Sequence, residues 1–165
     1  MLNKANKISV SSSVMEGIKA YLMQNDFISD VEIKDETLII TGTPSTSARY
    51  GFHAVYFIDD SDGLDIFNIE GFGKYIKQIK INGQAVIYVD DHFNFNPNTT
   101  IIADEIFIGT EDNHVKNIKN LNCKCHNFKV ESQFIRIADS YIECEASFVC
   151  HQKNILPSTI KKYVK

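Results

Sequence analysis

The side chains with the widest chemical reach gather late in the chain. Cys123-Lys124-Cys125-His126, Cys144 and Cys150-His151 hold six thiols and imidazoles, the ligand types that zinc prefers in a tetrahedral site. Their spacing argues the other way. C-x-C-H followed by a distant C-H is not the C-x2-C spacing of a zinc ribbon, and alternation along a strand turns Cys123 and Cys125 to one apolar face. Cysteine packs there as a small hydrophobe. No bound metal is therefore expected; Cys123, Cys125, His126, Cys150 and His151 are the residues that would hold one.

Two further groups invite the same weighing. Asp59-Asp60-Ser61-Asp62-Gly63-Leu64-Asp65 has the look of a calcium loop. With Gly63 at the glycine position, Ile58 and Ile69 fall where the first ligand and the bidentate acid belong, so an acidic turn is the better reading. Asp90-Asp91-His92 and Glu111-Asp112-Asn113-His114 each follow a β-prone run. If the runs stack, these carboxylates and imidazoles line one edge, where a carboxylate can orient a histidine for proton transfer. Solubility alone also produces polar turns, so Asp91, His92, Asp112 and His114 are expected to bind rather than catalyse. Phe72, Tyr75, Phe93 and Phe95 lie in or beside turns, and together with Tyr50 and Phe52 they are candidate anchors for a protein partner. The chain contains no G-x-S-x-G elbow, P-loop or G-x-G-x-x-G.

Short elements must position these residues. Val14, Ile18, Tyr21 and Leu22 make one apolar stripe at helical spacing, with Ser12 or Ser13 as N-cap and Glu16 completing a capping box. Val31–Lys34 and Thr37–Thr41 flank Asp35-Glu36 as a β-hairpin, although that pair is not a favoured turn. Thr43-Pro44-Ser45-Thr46-Ser47 marks a loop. Beyond residue 52 the sequence becomes a succession of brief β-prone runs: 55–58, 64–69, 79–81, 85–89, 100–102, 106–108, 121–123, 128–130, 135–137, 141–144 and 148–149. Pro157-Ser158-Thr159 leads into Ile160–Lys165, where Ile160, Tyr163 and Val164 share one face of a short capping helix, or else form a basic tail. The organisation is a cap over 1–42, a repeating β body over 52–150 and a tail or capping helix over 151–165.

The β body repeats. Val86, Ile106, Phe128 and Phe148 follow one another at 20, 22 and 20 residues. Upstream lie apolar pairs two apart: Ile79/Ile81, Ile101/Ala103, Leu121/Cys123 and Ile142/Cys144. A period near 20 is what one coil of a stacked solenoid requires. Ile76-x2-Ile79-x-Ile81-x2-Gln84-x-Val86 and Ile118-x2-Leu121-x-Cys123-x2-His126-x-Phe128 both match L-x2-L-x-L-x2-N-x-L. Over residues 64–150 this resembles the irregular leucine-rich-like repeats of bacterial and phage proteins, with Ile69-Glu70-Gly71 standing where their "LEG" element precedes a coil. Gln84 and His126 replace the turn asparagine, however, and a plain β-helix fits the same residues. The expected fold is a mainly β, short repeat solenoid, leucine-rich-repeat-like or β-helical, with a small N-terminal α/β cap. An α+β or β-sandwich single domain is the alternative.

Composition limits the function classes. The chain has 165 residues, 44% of them apolar and 23% charged, which suits one folded unit. Seventeen basic against 21 acidic residues give −4, which disfavours a dedicated nucleic-acid binder. No apolar run is long enough for a membrane span, and no secretory h-region follows the first residues. Four unpatterned cysteines then point to reduced thiols in a cytoplasm. Abundant Ile, Asn and Lys, with only Arg49 and Arg136 among the basic residues as arginine, fit an A/T-rich bacterial or phage genome. A repeat body offers extended surface and little pocket. The expected function is protein binding through the repeat face, without a cofactor; the alternatives are a small β-scaffold enzyme on carbohydrate or nucleotide, and a self-assembling structural component.

Overall fold

Apolar and polar residues alternate through most of residues 78–149, so strands with one buried face are the natural outcome. A computed structural model describes residues 14–24, 28–43, 54–58, 72–89, 91–110 and 113–163. Within them the long strands are β4 (Gln78–Tyr88), β6 (Thr100–Gly109), β8 (Asn122–Val130) and β10 (Tyr141–Val149). They lie side by side and parallel in the main sheet. Between them come β5 (His92–Asn94), β7 (Lys116–Lys119) and β9 (Ile135–Ala138), which form a second parallel sheet. The chain thus visits the main sheet, crosses to the small one and returns one rung further on. This is a β-solenoid of about four turns.

The first rung is assembled from two pieces. β1 (Ile28–Lys34) and β2 (Thr37–Gly42) form an antiparallel hairpin, and β2 runs parallel to the first half of β4. β3 (Ala54–Ile58) pairs with the second half, Gln84–Tyr88. The hairpin turn is the expected Asp35-Glu36, and both residues take positive φ, 52° and 61°. A two-residue turn needs that geometry to match the twist of its strands. Helix α1, residues 14–23, buries Ile18 and Leu22 completely. Tyr21, predicted for the same stripe, is 39% exposed, and the proposed cap residues Ser12 and Ser13 lie outside the described residues. A single helical turn, α2 (Phe72–Tyr75), precedes β4.

Stacking puts like over like. Leu38, Ile79, Ile101, Cys123 and Ile142 are successive register partners, and so are Ile40, Ile81, Ala103, Cys125 and Cys144. A third column runs Ala85, Ile106, Phe128, Phe148. Three of the four predicted anchors share it, but Val86 does not. β4 and β10 each carry one extra residue relative to their neighbours, at the register shifts Ile81/Gln84 and Cys144/Ser147, and this bulge moves Ala85 into the column. Gly83, at the β4 bulge, has φ 136°, which only glycine accepts readily. The pair aligned with Ile79/Ile81 is Cys123/Cys125, not Leu121/Cys123, so the leucine-rich alignment is two residues out of register in that coil.

Each long strand turns a corner at its middle. In β8 Cys125 faces in, His126 faces out, Asn127 is half-buried and Phe128 faces in again; in β6 Asp104 and Glu105 intervene between Ala103 and Ile106. The core is therefore bounded by two segments of the main sheet and by the small sheet. Phe128 and Phe148 stack in it with centroids 5.0 Å apart and planes 9° from parallel. Val86, Tyr88 and Phe107 lie on the other side of the main sheet and are buried there too, apart from the main cluster.

At the inner corners, small polar side chains meet backbone groups that ladders leave unpaired. Thr99 donates to the Ile76 carbonyl, Ser140 accepts from the Leu121 amide, and Thr159 accepts from the Ser140 amide. Asn154, fully buried, donates to the carbonyls of Ser132 and Ile135 and accepts from the His151 amide. Asn120 and Asp139, one coil apart, hold the left-handed conformation that turns the chain from small sheet to main sheet. The C-terminal segment is a strand where the spacing predicts a helix or tail: β11 (Ile160–Tyr163) adds parallel to Tyr141–Cys144. Edge pairing satisfies its backbone directly, with the Ile160 amide donating to the Ser140 carbonyl.

Candidate functional site

The outward residues of the main sheet form rows across the coils. One row is Lys80, Ile102, Lys124, Glu143 and Lys162, consecutive register partners. Beside it, on the crest of the corner, Asn82, Asp104, His126 and Glu145 follow one another from coil to coil. Apart from Lys162, the residues of these rows line an open cleft of about 260 Å³.

His126 is its centre. Nδ1 lies 2.8 Å from a Glu145 carboxylate oxygen, one coil further, and Nε2 lies 4.0 Å from Asp104, one coil back. The imidazole is thus held between two carboxylates, all three side chains more than half exposed. Such a set can exchange a proton or present a polar face, but a solvent-open ion pair contributes little to stability. Nearby, the Asn82 amide donates to the Thr41 hydroxyl at 3.2 Å, and Tyr141 Oη donates to Glu143 at 2.9 Å. The Glu143 carboxylate accepting that proton pushes the Tyr141 phenol up.

Behind the cleft, on the core side, lie the thiols. All four cysteines are free, with Cys123, Cys125 and Cys144 buried and Cys150 half-buried. Burial pushes Cys123 well up, and it raises Cys144 and Cys150 as well. Cys125 is held lower than its ordinary value because Cys123 hydrogen-bonds to it. Cys144 Sγ donates to the Ser147 carbonyl at 2.7 Å and lies 3.1 Å from that of His126. These are packed core residues, as their alternation predicts. His151, by contrast, sits outside with Nε2 3.0 Å from the Glu131 carbonyl oxygen. Among the described residues no group of three or more His, Cys, Asp and Glu side chains is arranged to hold a metal ion.

Most of the predicted binding residues go elsewhere. Phe72, Phe93 and Phe95 are core residues, 1%, 6% and 3% exposed, so these three are not surface anchors. The stacking that places polar turns outside also brings these rings in: Phe93 sits in a column with Ile118 and Ile137 of the small sheet, and it packs on Phe95 at 4.6 Å. Tyr75 is half-buried, with Lys74 Nζ 5.6 Å from its ring centre. His92 is exposed, 3.1 Å from the Asp91 carboxylate. It does not stack with His114: its register partners are Asn117 and then Arg136. Asp112, Tyr50, Phe52, the acidic stretch 59–65 and the 69–71 tripeptide lie outside the described residues.

Asp104, Glu145, Lys80 and Lys124 escape a reading of local motifs. Their only sequence signal is spacing: Asp104, His126 and Glu145 are 22 and 19 residues apart, one coil each.

Fold and site together define the class, a short parallel β-solenoid with a hairpin-and-helix cap and a polar cross-coil cleft. The chain matches no family model, no curated protein and no solved structure. No helix among the described residues is long and apolar enough to cross a membrane.

Proposed function

We propose that this chain is a non-enzymatic binding protein that takes a protein partner along the outer face of its main sheet. The observation that carries the reading is the pair of adjacent rows, Lys80/Ile102/Lys124/Glu143 across β4 to β10 and Asp104/His126/Glu145 across β6 to β10, with one residue of each row on each rung. Exposed charges fixed at regular intervals on a stiff scaffold select a complementary surface and steer its approach. The cleft is open rather than enclosing, which favours a macromolecular surface over a small substrate. Four free cysteines and the lack of a membrane-spanning helix among the described residues support work in a reducing cytoplasm, and the A/T-rich amino-acid usage supports a bacterial or phage source.

The test compares the immobilised chain with a Lys80→Glu/Lys124→Glu variant in lysates of its native host. The expected result is a partner captured by the parent, released by salt and lost by the variant. A Lys119→Glu variant on the small sheet, where the side chain is also exposed, retains it. Equal capture by all three, or none, overturns the reading. A second reading has one observation behind it: His126 flanked by Asp104 and Glu145 is an arrangement suited to acid–base chemistry. Hydrolysis of a carbohydrate or nucleotide ester abolished by His126→Gln would favour the enzyme; capture unaffected by His126→Gln favours binding.

A further inference from the structure

Three thiols meet on the core side of the corner that β8 and β10 share. Cys125 and Cys144 are register partners on these neighbouring parallel strands, and Cys123 precedes Cys125 by two residues on the same face. All three are buried and free. Each sulfur of the cross-strand pair leans toward the other's strand. Cys125 Sγ lies 3.8 Å from the Glu143 carbonyl oxygen, and Cys144 Sγ lies 3.1 Å from that of His126. Cys123 and Cys144 both hydrogen-bond to Cys125.

Distance selects the pair. Adjacent strands run about 4.8 Å apart, within the roughly 4.4–6.8 Å that the Cα atoms of a disulfide keep. Residues two apart on one strand are about 6.7 Å apart, at the far limit of that range. Cys123 stands opposite Ile142, so it meets Cys144 only on the diagonal, about 8 Å away and out of reach. On its other side Cys125 has Ala103 as register partner, whose small side chain takes little space beside the sulfur. Access selects the nucleophile. Of the three, it is Cys125 that lines the open cleft. The hydrogen bond from Cys123 also holds the Cys125 thiol below its ordinary value, and the thiolate is the reactive form.

We propose that Cys125 and Cys144 are a peroxide-sensitive dithiol that closes to a disulfide and staples β8 to β10. The Cys125 thiolate attacks one oxygen of hydrogen peroxide. The O–O bond breaks, hydroxide leaves and takes up the proton that Cys125 released, and Cys125 becomes a sulfenic acid. Cys144 then attacks that sulfur; the S–O bond breaks, and a second water leaves with the Cys144 proton. The peroxide is reduced to two waters while two thiols are oxidised to one disulfide, which an added dithiol reverses. This chemistry does not depend on what the charged rows bind.

The test exposes the folded full chain to hydrogen peroxide, blocks the remaining thiols and maps the peptides by mass spectrometry. Expected are the loss of two hydrogens per chain, a Cys125–Cys144 cross-link, full reversal by dithiothreitol, and slower hydrogen exchange of the β10 amides in the oxidised form. Cys144→Ala is expected to stop at the sulfenic acid of Cys125, trapped by dimedone, and Cys125→Ser to lose the cross-link altogether. Cys150, half-buried after the end of β10, is the internal reference. Should either variant unfold, the peptide map of the parent decides alone. A Cys125 that stays reduced while Cys150 is oxidised, a Cys123–Cys125 cross-link in place of the cross-strand one, or a cross-link that forms only in urea each overturns the proposal.

Discussion

Asn154 does for the last coil what no apolar residue can. Its amide nitrogen donates to two carbonyls and its oxygen accepts one amide, all with the side chain fully buried. Truncation leaves three backbone groups in a dry corner, and each such group costs about 1–3 kcal/mol. Asn154→Ala is expected to lower stability by roughly 3 kcal/mol, because water reaches part of the gap. Asn154→Asp is expected to cost more at neutral pH, since a carboxylate facing the Ser132 and Ile135 carbonyls repels where the amide donated. The midpoint of urea unfolding measures both. Cys123 makes a prediction of another kind. Burial raises its thiol well above the ordinary 9.0, while the unfolded chain ionises at that ordinary value. The unfolded state then releases its proton first, so the contribution is complete below pH 9 and declines as pH rises through 9 toward the folded value. Cys144 and Cys150 act in the same sense, and Cys125, held low, acts against them. Urea midpoints from pH 7 to 10.5 should fall more steeply for the parent than for Cys123→Ala. Parallel curves would show that this thiol carries no linkage.

The β1–β2 hairpin is where local chemistry and geometry disagree most openly. Asp35 and Glu36 both hold positive φ, and Glu36 is a poor resident of that region. Asp35→Asn/Glu36→Gly keeps the backbone, including the Glu36 carbonyl that accepts from the Lys77 and Gln78 amides, and removes side-chain strain. A gain of about 1 kcal/mol in thermal or urea unfolding is expected. The turn itself was legible, because two alternating runs around two polar residues leave little choice of register. So, among the described residues, were the strands and the inward Cys123, Cys125 and Cys144, while the β-prone run 64–69 lies outside them. What escaped lies in two classes. Val86 was misassigned because a bulge adds a residue without changing the apolar pattern, and only Gly83 hints at it. Ile160 and Tyr163 fit a helix by spacing, yet an available edge on β10 captures them as β11. The site was harder still. Phe93 and Phe95 look like loop aromatics until the small sheet turns them inward. Asp104, His126 and Glu145 carry no local motif and meet only after the coils are in register.

At the scale of the molecule, each rung of β4 to β10 touches only the rungs beside it, so stability is distributed as intrinsic and nearest-neighbour contributions. Such an array opens from whichever end is less well covered. The N-terminal end carries α1 with Ile18 and Leu22 fully buried, an antiparallel hairpin, and strands over the whole of β4. The C-terminal end carries four residues of β11 and the Asn154 corner. Hydrogen exchange in increasing urea should therefore release amides in order, β11 first, then β10, with β6 and β8 the last to open because rungs flank them on both sides. Asn154→Ala should advance the opening of β11 and β10 while leaving the β6 amides nearly unchanged. If all strands instead released together at one urea concentration, coupling between rungs would outweigh the differences between ends. The molecule would then behave as one cooperative core, with neither end opening ahead of the other.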